Sequence, residues 1–211
     1  SEYTDFDVYF RGDFLISLKI ILKGIHNVYN ALSVLASLHQ AGVDLELVKP
    51  HFATFAGMGR RFQKVGDFDG ISIYDDYAHH PTEIKAALSS ALSFKGKNII
   101  AVFQPHRYTR LQNLWDEFLN AFDSVDKVVV TDVYAASEDV IEGVNSEKFA
   151  QDLSAKGINC EYISGDMKAV AKKLYPSLKK DDVVIGLGAG TITAVGRELL
   201  ALNKELADVA R

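Results

Sequence analysis

The feature that most constrains this chain is a strict alternation over its last two-thirds. Short apolar runs at residues 71–74, 98–103, 127–131, 159–163 and 183–187 alternate with helical periodicity at about 81–92, 111–122, 146–156, 166–175 and 191–202. The runs are apolar at nearly every position, as strands covered on both faces must be. Strand followed by helix, repeated, predicts an α/β fold: a Rossmann-like, mostly parallel sheet with helices on both faces. Pro81 suits the first position of its helix. A hairpin is predicted over residues 62–68 and 70–74, turning at Gly66-Asp67, and it adds one antiparallel strand. In such sheets ligands bind beyond the C-terminal strand ends.

The first 60 residues keep a different rhythm. Residues 1–23 are aromatic and β-branched, with a turn at Arg11-Gly12-Asp13, and predict a hairpin too small to stand as a sheet. Val28, Ala31, Leu32, Leu35 and Leu38 place a helix over 27–40 that stops at Gly42. A second short helix follows at 45–54, interrupted by Pro50 or beginning near it. The chain opens on Ser1, as expected of a piece cut from something larger.

Composition narrows the class. The 211 residues carry 23 Lys+Arg against 28 Asp+Glu, a net charge of −5, which argues against a general nucleic-acid or anionic-membrane binder. With 48% hydrophobic and 24% charged residues the chain is not intrinsically disordered. One Cys favours a reducing, cytoplasmic setting, and no apolar run reaches the roughly 18 residues of a membrane span.

Polar clusters gather at the strand ends. The first is Asp75-Asp76-Tyr77-Ala78-His79-His80-Pro81-Thr82-Glu83. It reads either as a capping turn or as a ligand site in which an Asp accepts from ribose hydroxyls and a His donates to an anion. Two adjacent His with no third ligand nearby do not read as zinc, and no metal site is assigned. The second is Phe103-Gln104-Pro105-His106-Arg107-Tyr108-Thr109-Arg110. Arg107 and Arg110, with a His, form a clamp for phosphate or carboxylate, or else a solvated loop. Both clusters are expected at corresponding ends of neighbouring strands, lining one anionic cleft. The stretch from Thr131 to Glu138 lines a small-substrate pocket or is a polar loop. Gly186 to Thr191 is an incomplete dinucleotide fingerprint, equally explained by tight strand-to-helix packing. Asn27 and Asn30 share a helix face and suit either an adenine edge or ordinary capping, and capping is the simpler reading. There is no Walker-type loop: Gly96-Lys97 lacks its upstream glycine.

In order along the chain, the segments 24–31, 59–62, 75–83 and 103–110 resemble the Mur ligases. The resemblance implies a three-domain enzyme, of which residues 1–60 would be the tail of the ATP-binding central domain and 61–211 the C-terminal domain. It implies ATP and Mg2+ in the full-length enzyme, and UDP-N-acetylmuramate and L-alanine as substrates. His26, Asn27, Asn30, Arg61 and Asp76 then match ATP-binding positions. Arg107, Arg110 and His79 match catalytic ones, and Tyr77, His79, Arg107, Arg110 and Tyr134 match substrate-binding ones. Partners would be the enzyme's own N-terminal and central domains, with no nucleic acid or membrane. Ser137 stands where the family commonly has Gly. The implied reaction is amide formation through an acyl phosphate in peptidoglycan synthesis, with this piece inactive alone for want of the phosphate-binding loop. A murein tripeptide ligase and a non-catalytic nucleotide-binding α/β module are the alternatives.

Overall fold

The computed structural model describes residues 3–22 and 24–209, with the His26 side chain outside that description. Ser1 also lies outside the described residues. The chain forms two compact units, Ser1–Met58 and Gly59–Arg211.

In the first unit, β1 (Thr4–Phe10) pairs antiparallel with β2 (Asp13–Ile20), followed by α1 (Ile25–Gln40) and α2 (Leu45–Thr54). Ile16, Leu18 and Leu35 bury one small core. Pro50 lies inside α2 and neither interrupts nor starts it. Asp44 caps that helix, its side chain accepting from the Glu46 N–H. The N-cap of α1 is Gly24, so neither Asn27 nor Asn30 occupies the capping position. The Asn30 amide donates instead to Asn27 Oδ1 at 3.3 Å.

In the second unit, β3 (Gln63–Phe68) and β4 (Ile71–Asp76) form the hairpin. Its turn is at Asp69-Gly70, not at Gly66-Asp67. Asp69 (φ 47°) and Gly70 (φ 81°) both take the left-handed conformation that suits a tight hairpin. Gly66 lies in β3, where the register shifts. Then follow α3 (Pro81–Ala91), β5 (Asn98–Phe103), α4 (Tyr108–Asn113), α5 (Trp115–Leu119) and β6 (Lys127–Thr131). The chain continues through α6 (Ser146–Ala155), β7 (Cys160–Ile163), α7 (Met167–Leu174), β8 (Asp182–Leu187) and α8 (Val195–Val209). The single helix expected over 111–122 is two short ones. The backbone leaves helical angles at Leu114, which keeps Leu111 and Phe118 in the core. The last helix begins as a 3-10 turn, Thr191–Ala194.

The six strands lie in the order β3-β4-β8-β5-β6-β7, with only β3 antiparallel. This corrects one expectation: β4 and β5, which carry the two polar clusters, are not neighbours, because β8 runs between them. Apolar strand residues divide between two cores. Ile99, Ala101 and Phe103 of β5 pack with α3 to α6, while Ile100 and Val102 pack with α7 and α8. Phe103 lies 5.3–6.1 Å from the rings of Phe118, Phe122 and Phe149. Each fully buried ring contributes roughly 1.5–3 kcal/mol of apolar transfer. Among the described residues no helix is long and apolar enough to cross a membrane.

Candidate functional site

The loops after β4, β5 and β8 meet at the C-terminal edge of the sheet, as the parallel topology requires. They enclose a cavity of about 570 Å³ lined by Tyr77, His79, His106, Arg107, Arg110 and Ala189, among others. Both clusters therefore reach one cleft, with the β8 loop between them.

Glycines bring that loop in. Gly188 has φ +146°, and a Cβ there would stand 2.8 Å from the Gln104 carbonyl oxygen. A Cβ on Gly190 would meet Gln104 Oε1 at 2.5 Å and Tyr134 Cγ at 2.6 Å. The buried Gln104 fills this space, donating to Thr191 Oγ1 and accepting from the Ile192 N–H. Close packing, rather than an open anion cradle, is what the glycines of this segment provide.

Each cationic group is held. His80 caps α3 by accepting from the Thr82 N–H, and Glu83 accepts from the backbone N–H groups of His79 and His80. Burial pulls the Glu83 carboxyl upward, but those N–H groups and the His79 charge hold it below its ordinary range. Of the two adjacent histidines it is His79 that lines the cavity, its Nδ1 2.9 Å from the Tyr77 carbonyl and 3.3 Å from Glu83 Oε2. The carbonyl can only accept, which assigns the proton to Nδ1 and leaves Nε2 free for a ligand. Arg110 Nη1 donates to His106 Nδ1 at 3.1 Å and to the His106 carbonyl at 3.2 Å. The His106 ring lies 5.9 Å from His79 and stacks on Tyr134 at 5.3 Å.

Arg107 has φ 74°, ψ 134°, a conformation that costs a non-glycine residue about 1–3 kcal/mol. Its N–H donates to the Tyr134 carbonyl, and its guanidinium pairs with Glu138 at 3.5 Å. Glu138 also accepts from the Thr109 N–H and hydroxyl, chiefly the latter, and these contacts lower its pKa. The loop after β6 thus clips onto the loop after β5. Ala136 (φ 50°) and Ser137 (φ 68°) are both left-handed, which is the physical reason a Gly suits position 137.

Burial, followed by the charges of Arg110, His79 and Arg107, depresses the His106 pKa below its ordinary 6.5. A histidine held neutral by the fold stabilises it above the unfolded-state pKa, and this is lost as pH falls through the folded value. Acidification from about pH 7.5 to 5 is expected to lower the unfolding midpoint more in the wild type than in His106→Gln. Equal pH dependence in the two proteins, followed by circular dichroism, would count against this.

Other expected positions lie elsewhere. Asp76 is buried, and its oxygens accept from the Phe62 and Ala78 N–H groups at 2.7 and 2.8 Å. Desolvation raises its pKa against those two bonds. Arg61 is exposed and makes no hydrogen bond or ion pair among the described residues. Tyr134 lines a second cavity of about 590 Å³ with Gln104, Asp132 and Glu198, not the first. Asn27 and Asn30 belong to the first unit, and the His26 side chain is outside the described residues. Sequence reasoning gave no site role of their own to Gln104 or Arg60, and met Glu138 only as the end of a stretch that lines a pocket or is a polar loop. It met His106 only as a member of the arginine cluster. The repeated Gly-x-Gly after β8 was a signal for Gln104, since closely approached backbone needs something to approach it. Among the described residues no three His, Cys, Asp or Glu side chains converge on a point that could hold a metal ion.

A parallel sheet with this loop cluster defines the class, and residues 60–190 match the family model described as Mur ligase, glutamate ligase domain. The chain belongs to the Mur ligase family. Among its relatives, the UDP-N-acetylmuramate–L-alanine ligase of Caldicellulosiruptor bescii is 43% identical over 191 residues, covering 90% of this chain and 42% of that protein. The enzyme of that name from Caldanaerobacter subterraneus is 40% identical over 202 residues, covering 96% and 44%. The solved UDP-N-acetylmuramate-alanine ligase of Thermotoga maritima superposes with a TM-score of 0.71 at 30% identity, covering 92% of this chain and 41% of that one. The chain thus spans less than half the length of these relatives.

Proposed function

We propose that this chain is the C-terminal part of an ATP-dependent UDP-N-acetylmuramate–L-alanine ligase, which forms the first amide bond of the peptidoglycan stem peptide in the cytoplasm. The observation that carries the reading is the convergence of His79, His106, Arg107 and Arg110 on one cavity beyond the strand ends. The names of the relatives at 40–43% identity support the choice of amino acid.

In this reading residues 1–60 are the tail of the ATP-binding domain, and Asn27, Asn30 and His26 meet the adenine. Arg61, exposed, meets the nucleotide. Asp76 contributes by fixing the loop that carries Tyr77 and His79. ATP supplies the phosphoryl group that makes the muramate carboxylate reactive. The work of this chain is positioning and charge neutralisation. Arg107 and Arg110 hold the anionic groups and offset the negative charge that builds on oxygen as the amine attacks the activated carbonyl. His79, with Nε2 free, hydrogen-bonds the same ligand. Tyr77 walls the cavity. Tyr134 backs His106 rather than touching the ligand.

Given UDP-N-acetylmuramate, L-alanine, ATP and Mg2+, the 211-residue chain alone is expected to release no phosphate above background. A longer polypeptide that carries it together with a phosphate-binding loop is expected to turn over. Robust ligation by the isolated chain would end the claim of incompleteness. Ligation of a tripeptide but not of L-alanine by the longer polypeptide would replace the reading with a murein tripeptide ligase.

A further inference from the structure

Arg60 stands behind the cavity wall, and sequence reasoning passed over it in favour of Arg61. Its guanidinium serves three parts of the structure at once. Nε donates to Asp75 Oδ2 at 3.1 Å, Nη2 donates to the Gly188 carbonyl at 2.6 Å, and the cation lies over the Tyr77 ring at 5.0 Å. Its own carbonyl accepts from the Tyr77 N–H at 2.7 Å. Tyr77 and Ala189, the neighbour of Gly188, both line the cavity, and His79 packs edge-on against Tyr77 at 5.1 Å.

Asp75 is the other half of the arrangement. It is 5% exposed, and its Oδ2 also accepts from the Thr193 hydroxyl at 2.7 Å. Its Oδ1 is buried with no hydrogen-bond partner. Arg60 is therefore the cation that balances a buried carboxylate, and the same guanidinium ties that carboxylate to two cavity walls. A surface ion pair would contribute little. This one is partly buried, and its geometry depends on a planar fork that reaches two acceptors while its face covers a ring. A Lys ammonium cannot do all three.

We propose that Arg60 is a positioning residue. It sets the place of Tyr77 and of the Gly188–Ala189 loop, and so the shape of the anion cavity, without touching the ligand. The inference rests on the reading of that cavity as an anion site.

The test uses the 211-residue chain with inorganic phosphate as probe. Binding is followed by NMR through the His79 and His106 ring resonances, with the Tyr77 ring and Ala189 amide resonances recorded in the absence of phosphate. Arg60→Lys is expected to shift the Tyr77 and Ala189 signals and to weaken phosphate binding at least about fivefold, the scale of a lost charge-assisted contact acting at one remove. Thr193→Val removes the other donor to Asp75 but leaves Arg60, and its phosphate affinity is expected to stay within about twofold of wild type. A merely structural Arg60 would lower the unfolding temperature in Arg60→Lys with affinity and cavity resonances unmoved, and that result overturns the proposal. If the wild type binds no phosphate, the reading of the cavity as an anion site fails. The brace is then decided by the resonances alone: movement of Tyr77 and Ala189 in Arg60→Lys upholds it, and their constancy overturns it.

Discussion

Replacing Gly188 with alanine is expected to destabilise the second unit by about 2–6 kcal/mol and to distort the anion cavity. Two costs combine. A backbone at φ +146° is one that side-chain-bearing residues rarely adopt, at about 1–3 kcal/mol. The new Cβ would also stand 2.8 Å from the Gln104 carbonyl oxygen. That oxygen is backbone at the end of a central strand and cannot swing aside as a side chain would, so the overlap adds about 1–3 kcal/mol. For a chain of this size each kcal/mol is about 2–4 °C of melting temperature, so a fall of roughly 4–24 °C is expected by calorimetry. Any outward shift of residue 188 also stretches the Arg60–Gly188 bond and moves Ala189 in the cavity wall. A melting temperature within about 2 °C of wild type would show that the loop yields cheaply.

That glycine illustrates what the sequence could and could not carry. Its place after an apolar run and before a helix was legible, and so were the elements on either side. β5, β6 and β8 are apolar at consecutive positions because both faces of the central sheet are covered, and that pattern is local. What Gly188 packs against was not local. Gln104 is 84 residues away, and it faces the loop because β8 lies beside β5. The same long-range pairing separates β4 from β5, which the chain order had placed side by side. Strand order is set by crossover connections and burial, and no window of sequence contains it. The hairpin turn was a different kind of error. Asp69-Gly70 is the stronger turn signal, and Gly66 drew the turn because a glycine inside a strand looks like an end when it marks only a change of register.

The cation cluster was legible as chemistry but not as geometry. Arg60 and Arg61 are identical in type and adjacent, yet one is clamped to a buried carboxylate and the other is exposed. Only the direction of the backbone as it enters β3 separates them. Asp75 and Asp76 are alike in the same way: both are buried, but Asp75 pairs with a cation and Asp76 with backbone N–H groups. Tyr134 falls on the right loop, but its ring is turned to His106 and a different cavity.

Arg110→Ala is expected to weaken anion binding by about 10- to 100-fold, the loss of one charge-assisted hydrogen bond of roughly 1.5–3 kcal/mol. Arg107 is expected to matter less by the same measure, because Glu138 already holds part of its charge, while among the described residues Arg110 donates to the ring and carbonyl of His106 and pairs with no carboxylate. Lysine at position 110 should recover only part of the affinity, since the Arg fork both orients His106 and faces the cavity. The substitution carries a second signature that separates lost charge from lost fold. Burial is the main reason His106 stays neutral, but the Arg110 charge is the next. Without it, the His106 pKa in the folded chain should rise toward its ordinary value in an NMR titration. By linkage, the pH window between the folded and unfolded pKa values, over which His106 costs stability, then narrows from its acid end, and stability falls less on acidification. A variant that loses affinity while the His106 titration stays where it was would mean that Arg110 acts on the ligand alone. A variant with unchanged affinity would remove Arg110 from the site.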